Sequence, residues 1–484
     1  MSEYTRSLRN ATARTLKWNT IDRFSSQILY AVTGIVLANV LSKSDFGLVG
    51  VILIFQAFGI LFVDSGFGAA LLQKKAPSER DYSTVFWFNL AVSIVIYIIL
   101  YLCAPLIARL FHNDLRLIPL CRVMFISFIL NGLGIVQTNR LMKEMNVKQI
   151  AIANLLGLIL SGASGIYLAL TGAGAWALVW QTIVLAACKT IWLWITGGWR
   201  PRPVFSLHSL KSIYRVGLGV FFSSFLNTVF LHIYSFVIGF ISLVSLGIYT
   251  QADKWSKMGS ASLSQIVTAT FVPLLARFQD DAVLFKEMML KVARFTGFIT
   301  LPFMCALTAM AAPLFHVLFG TKWDEAIPLF QILMMRGVLI VYISLCTNYL
   351  LSLGYAKSLV MIETVKDSTI VIAILLTMPL KSVEALVWGQ FAASCITYAY
   401  ILWRVRRATG CTMRSLSTAL WKYLPPLLPA LAAMLLATLL DLPAIIIITI
   451  QCTVGLGIYT AILHLSHDPL LKEALRHIAS RFHR

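Results

Sequence analysis

Residues 85–108 read VFWFNLAVSIVIYIILYLCAPLIA, an unbroken run without one Asp, Glu, Lys or Arg. About 20 apolar residues in a helix, rising 1.5 Å each, cross the hydrocarbon core of a bilayer. A surface helix of a soluble domain keeps one polar face, and this run has none. Thirteen further segments read the same way: 24–41, 46–72, 118–136, 149–171, 175–196, 214–240, 246–276, 295–315, 328–351, 358–380, 382–403, 423–440 and 443–463. Those at 46–72, 214–240 and 246–276 are long and polar enough to tilt or kink, and the first contains Gly59, Gly66 and Gly68. Composition agrees, with 59% hydrophobic and 12% charged residues over 484 positions and a mean hydropathy of +0.82. A soluble fold would leave part of that apolar surface in water and aggregate. The expected fold class is all-α: a polytopic membrane protein with about 14 transmembrane helices.

The net charge of +20 is read through position rather than as a nucleic-acid signal, because the basic residues sit between the apolar segments. With the N-terminus in the cytoplasm, 29 of the 40 Lys and Arg fall in cytoplasmic pieces. Only Lys43, Arg109, Arg116, Lys322 and Lys381 fall on the far side, and six lie inside spans. That asymmetry sets orientation and places both termini in the cytoplasm. The polar stretch of more than twenty residues before the first span does not read as a cleavable signal. Within it Tyr4, Leu8, Ala11, Thr15 and Trp18 share a helical stripe among Arg6, Arg9, Arg14 and Lys17. This is the pattern of an interfacial helix on anionic lipid. The tail repeats it, with Leu471, Leu475, Ile478 and Phe482 against Lys472, Arg476, Arg481 and Arg484. The eight cysteines are scattered through apolar stretches with no metal or redox spacing, and they read as small hydrophobes.

The two halves match each other in chain order. Phe24-Ser25-Ser26 matches Phe222-Ser223-Ser224, and Ser42 with Phe46-Gly47-Leu48 matches Ser242 with Leu246-Gly247-Ile248. Leu110-Phe111 matches Leu318-Phe319, Ile118-Pro119-Leu120 matches Ile327-Pro328-Leu329, and Thr138-Asn139 matches Thr347-Asn348. Ala177-Leu178-Val179-Trp180 and Ala385-Leu386-Val387-Trp388 are identical. An even number of spans per copy gives both copies one orientation. The expected architecture is therefore two six-helix lobes related by a pseudo-two-fold axis along the membrane normal, with a substrate site between them and alternating access as the motion. The domains expected are residues 1–205, an N-lobe with spans 1–6; 206–410, a C-lobe with spans 7–12; and 411–484, two extra spans and a cytoplasmic amphipathic tail.

Several of these residues carry a family resemblance. Phe46-Gly47-Leu48, Asp64-Ser65-Gly66-Phe67-Gly68 and Gln73-Lys74-Lys75 resemble the N-terminal signature of Wzx-type polysaccharide exporters. Gln279-Asp280-Asp281 after Phe271-Val272-Pro273 is similar to their mid-chain loop, and Leu318-Phe319-Gly320, Lys322-Trp323 and Ile327-Pro328 resemble their later signature. These exporters, of the colanic-acid type in the polysaccharide transport family, belong to the multidrug/oligosaccharidyl-lipid/polysaccharide (MOP) exporter superfamily. The resemblance implies a MOP-type fold in a bacterial cytoplasmic membrane. It also implies a cargo of undecaprenyl-pyrophosphate-linked oligosaccharide repeat units moved to the periplasmic leaflet, and it leaves open which glycan. Other polysaccharide-assembly proteins and anionic lipids are partners consistent with it; nucleic acid is not. A drug or cation antiporter of the same superfamily shares the two-lobe design, but its cavity favours acids. A membrane polymerase or ligase needs a periplasmic catalytic module, and the longest such loops, near 109–117 and 316–327, are too short for one.

The family offers no fixed catalytic motif, so site residues are argued physically. Ionisable groups inside spans are costly and therefore functional candidates. A pyrophosphate head group crossing a low-dielectric slab needs fixed cations. Lys254, Arg336, Arg23 and Lys257 are the candidates for that role, and Asp64, Asp253, Glu363 and Asp367 are the candidates for ion or proton coupling. Arg122 and Lys189, near span ends, also fit simple snorkelling. Asp253 and Lys257, four apart, can pair with each other, as can Glu363, Lys366 and Asp367. Asp64 fits an ion site and a helix-end carboxylate equally. The eight histidines are dispersed, no metal-ligand cluster or phosphate loop occurs, and neither an enzyme nor a cofactor site is expected.

Overall fold

The computed structural model describes residues 3–275, 278, 281–440, 442–473 and 476, with side chains from residue 14 onward except at 16, 212, 269, 272, 273 and 356. The stripe residues Tyr4, Leu8 and Ala11, the tail residues Leu475, Ile478 and Phe482, and Gln279-Asp280 lie outside these side chains. Among the described residues the regular structure is all helical. In order the helices are α1 Glu3–Val40, α2 Lys43–Asp64, α3 Phe67–Gln73, α4 Glu79–Leu110, α5 Leu117–Met124, α6 Ile126–Lys143, α7 Val147–Leu170, α8 Ala175–Thr196 and α9 Leu207–Ile241. They continue as α10 Leu243–Leu275, α11 Ala282–Ala309, α12 Ala311–Phe319, α13 Ala326–Ser352, α14 Ala356–Thr377, α15 Val383–Thr409, α16 Met413–Trp421, α17 Leu424–Ala437 and α18 Ala444–Leu465. Among the described residues eleven stretches are long and apolar enough to cross a membrane, and the chain is a multi-pass membrane protein. The three other segments expected to span fall in α1, α10 and α14, which carry charged residues within those segments or at their mouths.

Local chemistry sets the helix starts. Ser42 caps α2 and Ser78 caps α4, each through a reciprocal capping box with the acid three residues on, Asp45 and Asp81. The residues matched between the halves recur at matched places. Ala177 is the third residue of α8, and Ala385 is the third of α15. Phe111 and Phe319, buried at the ends of their helices, anchor aromatic clusters with Phe236 and Phe240 and with Trp255 and Phe315.

The chain forms two compact units, Met1–Thr250 and Gln251–Arg484. In the first, α7 packs on α1 and α8, α6 on α4 and α8, and α9 on α2, α3 and α4. Here α2 and the first turns of α10 cross with backbones touching. A methyl group at Gly47 would overlap the Leu243 carbonyl, and one at Gly247 would overlap the Lys43 carbonyl. Each glycine faces the residue four before the other, so the crossing is two-fold symmetric about the pair that the repeat matches. Only glycine allows this approach.

In the second unit α13 packs on α11 and α15, α14 on α15, and α17 on α18. The end of α18 is tied down by Asp468, buried just beyond it. Its carboxylate accepts from Lys422 Nζ at 2.6 Å and from the Leu470 N–H at 2.9 Å, with Tyr423 OH at 3.4 Å. Burial alone would raise this carboxyl's pKa, but the Lys422 ammonium and the backbone donors outweigh it and hold it below the usual aspartate range. A depressed folded-state pKa contributes stability above the unfolded value, near 3.9, and that stability is lost as pH falls through the folded value. Asp468→Asn is therefore expected to cost about 1.5–3 kcal/mol at neutral pH. It should also flatten the acid limb of a melting-temperature profile in detergent, and a variant that melts like the parent from pH 7 down to pH 3 would refute this.

Candidate functional site

The first unit holds a polar chamber built from five helices. Asn131 and Asn139 lie eight apart on α6, so they share one helix face with Thr138. Opposite stand Asp64 at the end of α2 and Lys189 and Thr190 on α8, enclosing a cavity of about 190 Å³. A second cavity, of about 320 Å³, adjoins it and shares Asn131 and Lys189 as walls. It is bounded by Ser26 and Tyr30 of α1, Gln56 of α2 and Asn154 of α7. At its edge Asn154 Nδ2 donates to both Asp22 oxygens, at 3.3 and 3.1 Å, and Ser26 Oγ donates to Asp22 at 3.4 Å.

Asp64 reaches the chamber because the helix stops there. Ser65 and Gly66 both adopt left-handed backbone, with φ of 49° and 70°, and α3 starts afresh at Phe67. Gly66 is required twice over: a side chain would be strained at that φ, and it would strike the Gly217 carbonyl of α9. The Gly68 N–H bonds back to the Asp64 carboxylate.

The other sequence candidates fall as follows. On α10, Asp253 and Lys257 form an ion pair at 2.6 Å. Lys254 stands apart from it, its ammonium 5.3 Å from the centre of the Trp255 ring. Trp255 is in turn held by its N–H to Gln251 Oε1 at 3.1 Å. Arg336 of α13 donates from Nε to Ser394 Oγ of α15 at 3.0 Å, and neither Arg336 nor Lys254 has an acidic partner among the described residues. On α14, Lys366 pairs with Glu363 and lies 3.7 Å from Asp367. Arg23 is exposed on α1. Arg122 lies 4.4 Å over the Tyr101 ring. Lys189 borders both cavities of the chamber, a place that its sequence position alone did not indicate. The chamber's amides were not marked as site residues in the sequence; the signal for Asn131 and Asn139 was their spacing of eight along α6.

These features define a multi-pass, all-helical membrane protein with the fold of the MOP exporters. The solved structure of the lipid II flippase MurJ, in an inward closed conformation, matches with a TM-score of 0.77 at 15% identity, over 93% of this chain and 99% of that one. The likeness at that identity is one of fold. The family described as polysaccharide biosynthesis protein matches residues 36–328, and the chain belongs to it. Among its relatives, teichuronic acid biosynthesis protein TuaB of Bacillus subtilis (strain 168) is 27% identical over 70% of this chain and 71% of its own length. Lipopolysaccharide biosynthesis protein WzxC of Escherichia coli (strain K12) is 26% identical over 69% and 68%. The resemblance to Wzx-type exporters read from the sequence is thereby met.

Proposed function

We propose that the chain flips undecaprenyl-pyrophosphate-linked oligosaccharide repeat units from the cytoplasmic to the periplasmic leaflet of a bacterial cytoplasmic membrane, for a surface or secreted polysaccharide. In this reading both termini are cytoplasmic and the chain performs no covalent chemistry. The two repeats, 1–205 and 206–410, work as lobes in alternation, with 411–484 outside them. The observation that carries it is a pair of cations without acidic partners among the described residues, Lys254 and Arg336, in a member of a polysaccharide biosynthesis family. An uncompensated charge at the centre of a span costs at least about 2.5 kcal/mol, and a dianionic head group in transit is a reason to keep it. We assign the head group to Lys254 and Arg336, with Lys257 and Arg23 as outlying cations, and ion coupling to the carboxylates Asp64, Asp253, Glu363 and Asp367.

Deleting the gene is expected to leave lipid-linked repeat units on the cytoplasmic leaflet and to remove one polysaccharide. The check is leaflet-specific labelling of the lipid-linked pool together with analysis of the exported glycan. Normal export with new drug sensitivity would favour the antiporter. Flipped but unpolymerised repeat units would favour a polymerase.

A further inference from the structure

We propose, resting on the cargo reading above, that the larger cavity of the first unit's chamber binds one uncharged sugar residue of the lipid-linked cargo. That cavity lies wholly within the first unit, among α1, α2, α6, α7 and α8.

Hydrogen bonds inside its walls decide what it presents. Asn131 Nδ2 spends one hydrogen on the Ser127 carbonyl, at 2.8 Å, and keeps its second N–H and its oxygen. Gln56, 6% exposed, spends one on Ser127 Oγ at 3.2 Å and keeps the same two groups. Asn154 is held by Asp22 through Nδ2 and keeps Oδ1. Thr182 gives its hydroxyl hydrogen to the Leu178 carbonyl at 3.0 Å and keeps oxygen lone pairs. Donors and acceptors therefore line one space together. A bare cation meets only the oxygens and an anion only the N–H groups, whereas each sugar hydroxyl both donates and accepts. Tyr30 adds an aromatic ring to the same walls, an apolar body for the C–H face of a sugar ring. Asp22 and Lys189 attract each other at the cavity's edge, and that pair leaves no net charge to favour a charged sugar. The volume, about 320 Å³, sits at the lower end of small-molecule pockets, about 300–1,000 Å³. It fits one sugar ring and not a whole repeat unit.

The repeat shows that these polar walls are not shared scaffold. Asn131 stands seven residues before Thr138, and Ile340 stands seven before the matching Thr347. Gln56 stands ten after Phe46, and Ser256 stands ten after the matching Leu246. Lys189 stands twelve after Ala177, and Thr397 stands twelve after Ala385. The exchange runs the other way for the head-group cations: counted from the same matches, Lys254 and Arg336 correspond to Ile54 and Ser127. Residues that only held the duplicated fold together would recur in both copies. Instead one copy carries the amides and the other the head-group cations, which divides sugar and pyrophosphate between them.

The test uses full-length protein purified and reconstituted in vesicles, with lipid-linked repeat units extracted from the deletion strain as cargo. Two constants are measured: the cargo concentration for half-maximal flipping, and the inhibition constant of sugar-free undecaprenyl pyrophosphate. Asn131→Leu keeps size and removes the amide. It is expected to raise the first constant about tenfold or more, since a site built to bond hydroxyls loses at least that when its polar groups are gone. The second constant should stay within about twofold of the parent, because the head group is bound elsewhere. If Asn131→Leu fails to fold, Tyr30→Ala, which trims a side chain 43% exposed, decides by the same two constants. An unchanged first constant overturns the sugar site, as does an equal shift in both, which would make the residue structural. Either result leaves the cargo reading standing. An extract without lipid-linked repeat units, or a parent that flips none of them, overturns the cargo reading itself and the sugar site with it.

Discussion

Lys254→Gln is expected to cut export about tenfold to a hundredfold while the protein still reaches the membrane, because a charged hydrogen bond to phosphate is worth about 1.5–3 kcal/mol. The surroundings of Lys254 single it out. Its neighbours Asp253 and Lys257 neutralise each other at 2.6 Å, so they have little field to offer an anion. Lys254 instead rests over the Trp255 indole, which steadies an ammonium without cancelling its charge. Ser256, Ser260 and Gln251 on the same helix are buried and keep the surroundings polar. Lys254→Arg keeps the charge and should retain more export than Lys254→Gln. Repeat-unit export normalised to membrane abundance is the measurement. Wild-type export in Lys254→Gln would make this lysine a structural residue packed on an indole.

The period and charge of the sequence carried most of the architecture. Residues 85–108, apolar all round, lie inside α4 as expected, and the matched Ala177 and Ala385 tetrapeptides begin helices at the same register. The four-residue spacing of Asp253 and Lys257 predicted their pairing, since i and i+4 meet on any helix. The same logic placed Glu363, Lys366 and Asp367 together. What could not be read was anything depending on which faces of different helices meet. Gly47 and Gly247 stood out as matched positions, yet their contact needs the crossing of α2 and α10. Asn131 and Asn154 carry no charge, and Asn139 entered only as a repeat match beyond the segment 118–136, so a search for ionisable groups in spans did not mark them as site residues. Lys189 was read by its distance from a span end. Its place beside two cavities depends on α6, α7 and α2 arriving around it.

Arg336 offers the sharper test of chemistry, because its replacement by lysine changes shape and keeps charge. The guanidinium is half-buried on α13 and anchored through Nε to Ser394 Oγ at 3.0 Å. That bond leaves the two terminal nitrogens as a fork, the geometry that grips phosphate oxygens in pairs. The anchor is firm because α13 packs along α15, the helix that carries Ser394. If the fork holds the pyrophosphate, Arg336→Gln should lower export about tenfold or more, since each such bond is worth about 1.5–3 kcal/mol. Arg336→Lys should fall between parent and Gln, in contrast to Lys254→Arg, where a larger cation is tolerated. Ser394→Ala frees the guanidinium without removing its charge, and should raise the substrate concentration needed for half-maximal flipping more than it lowers the maximal rate. Flipping of a fluorescent lipid-pyrophosphate in vesicles reconstituted with purified protein separates the two quantities. Parent-like flipping by Arg336→Gln would remove Arg336 from the cargo path. Equal activity in Arg336→Lys and the parent would reduce its role to charge alone.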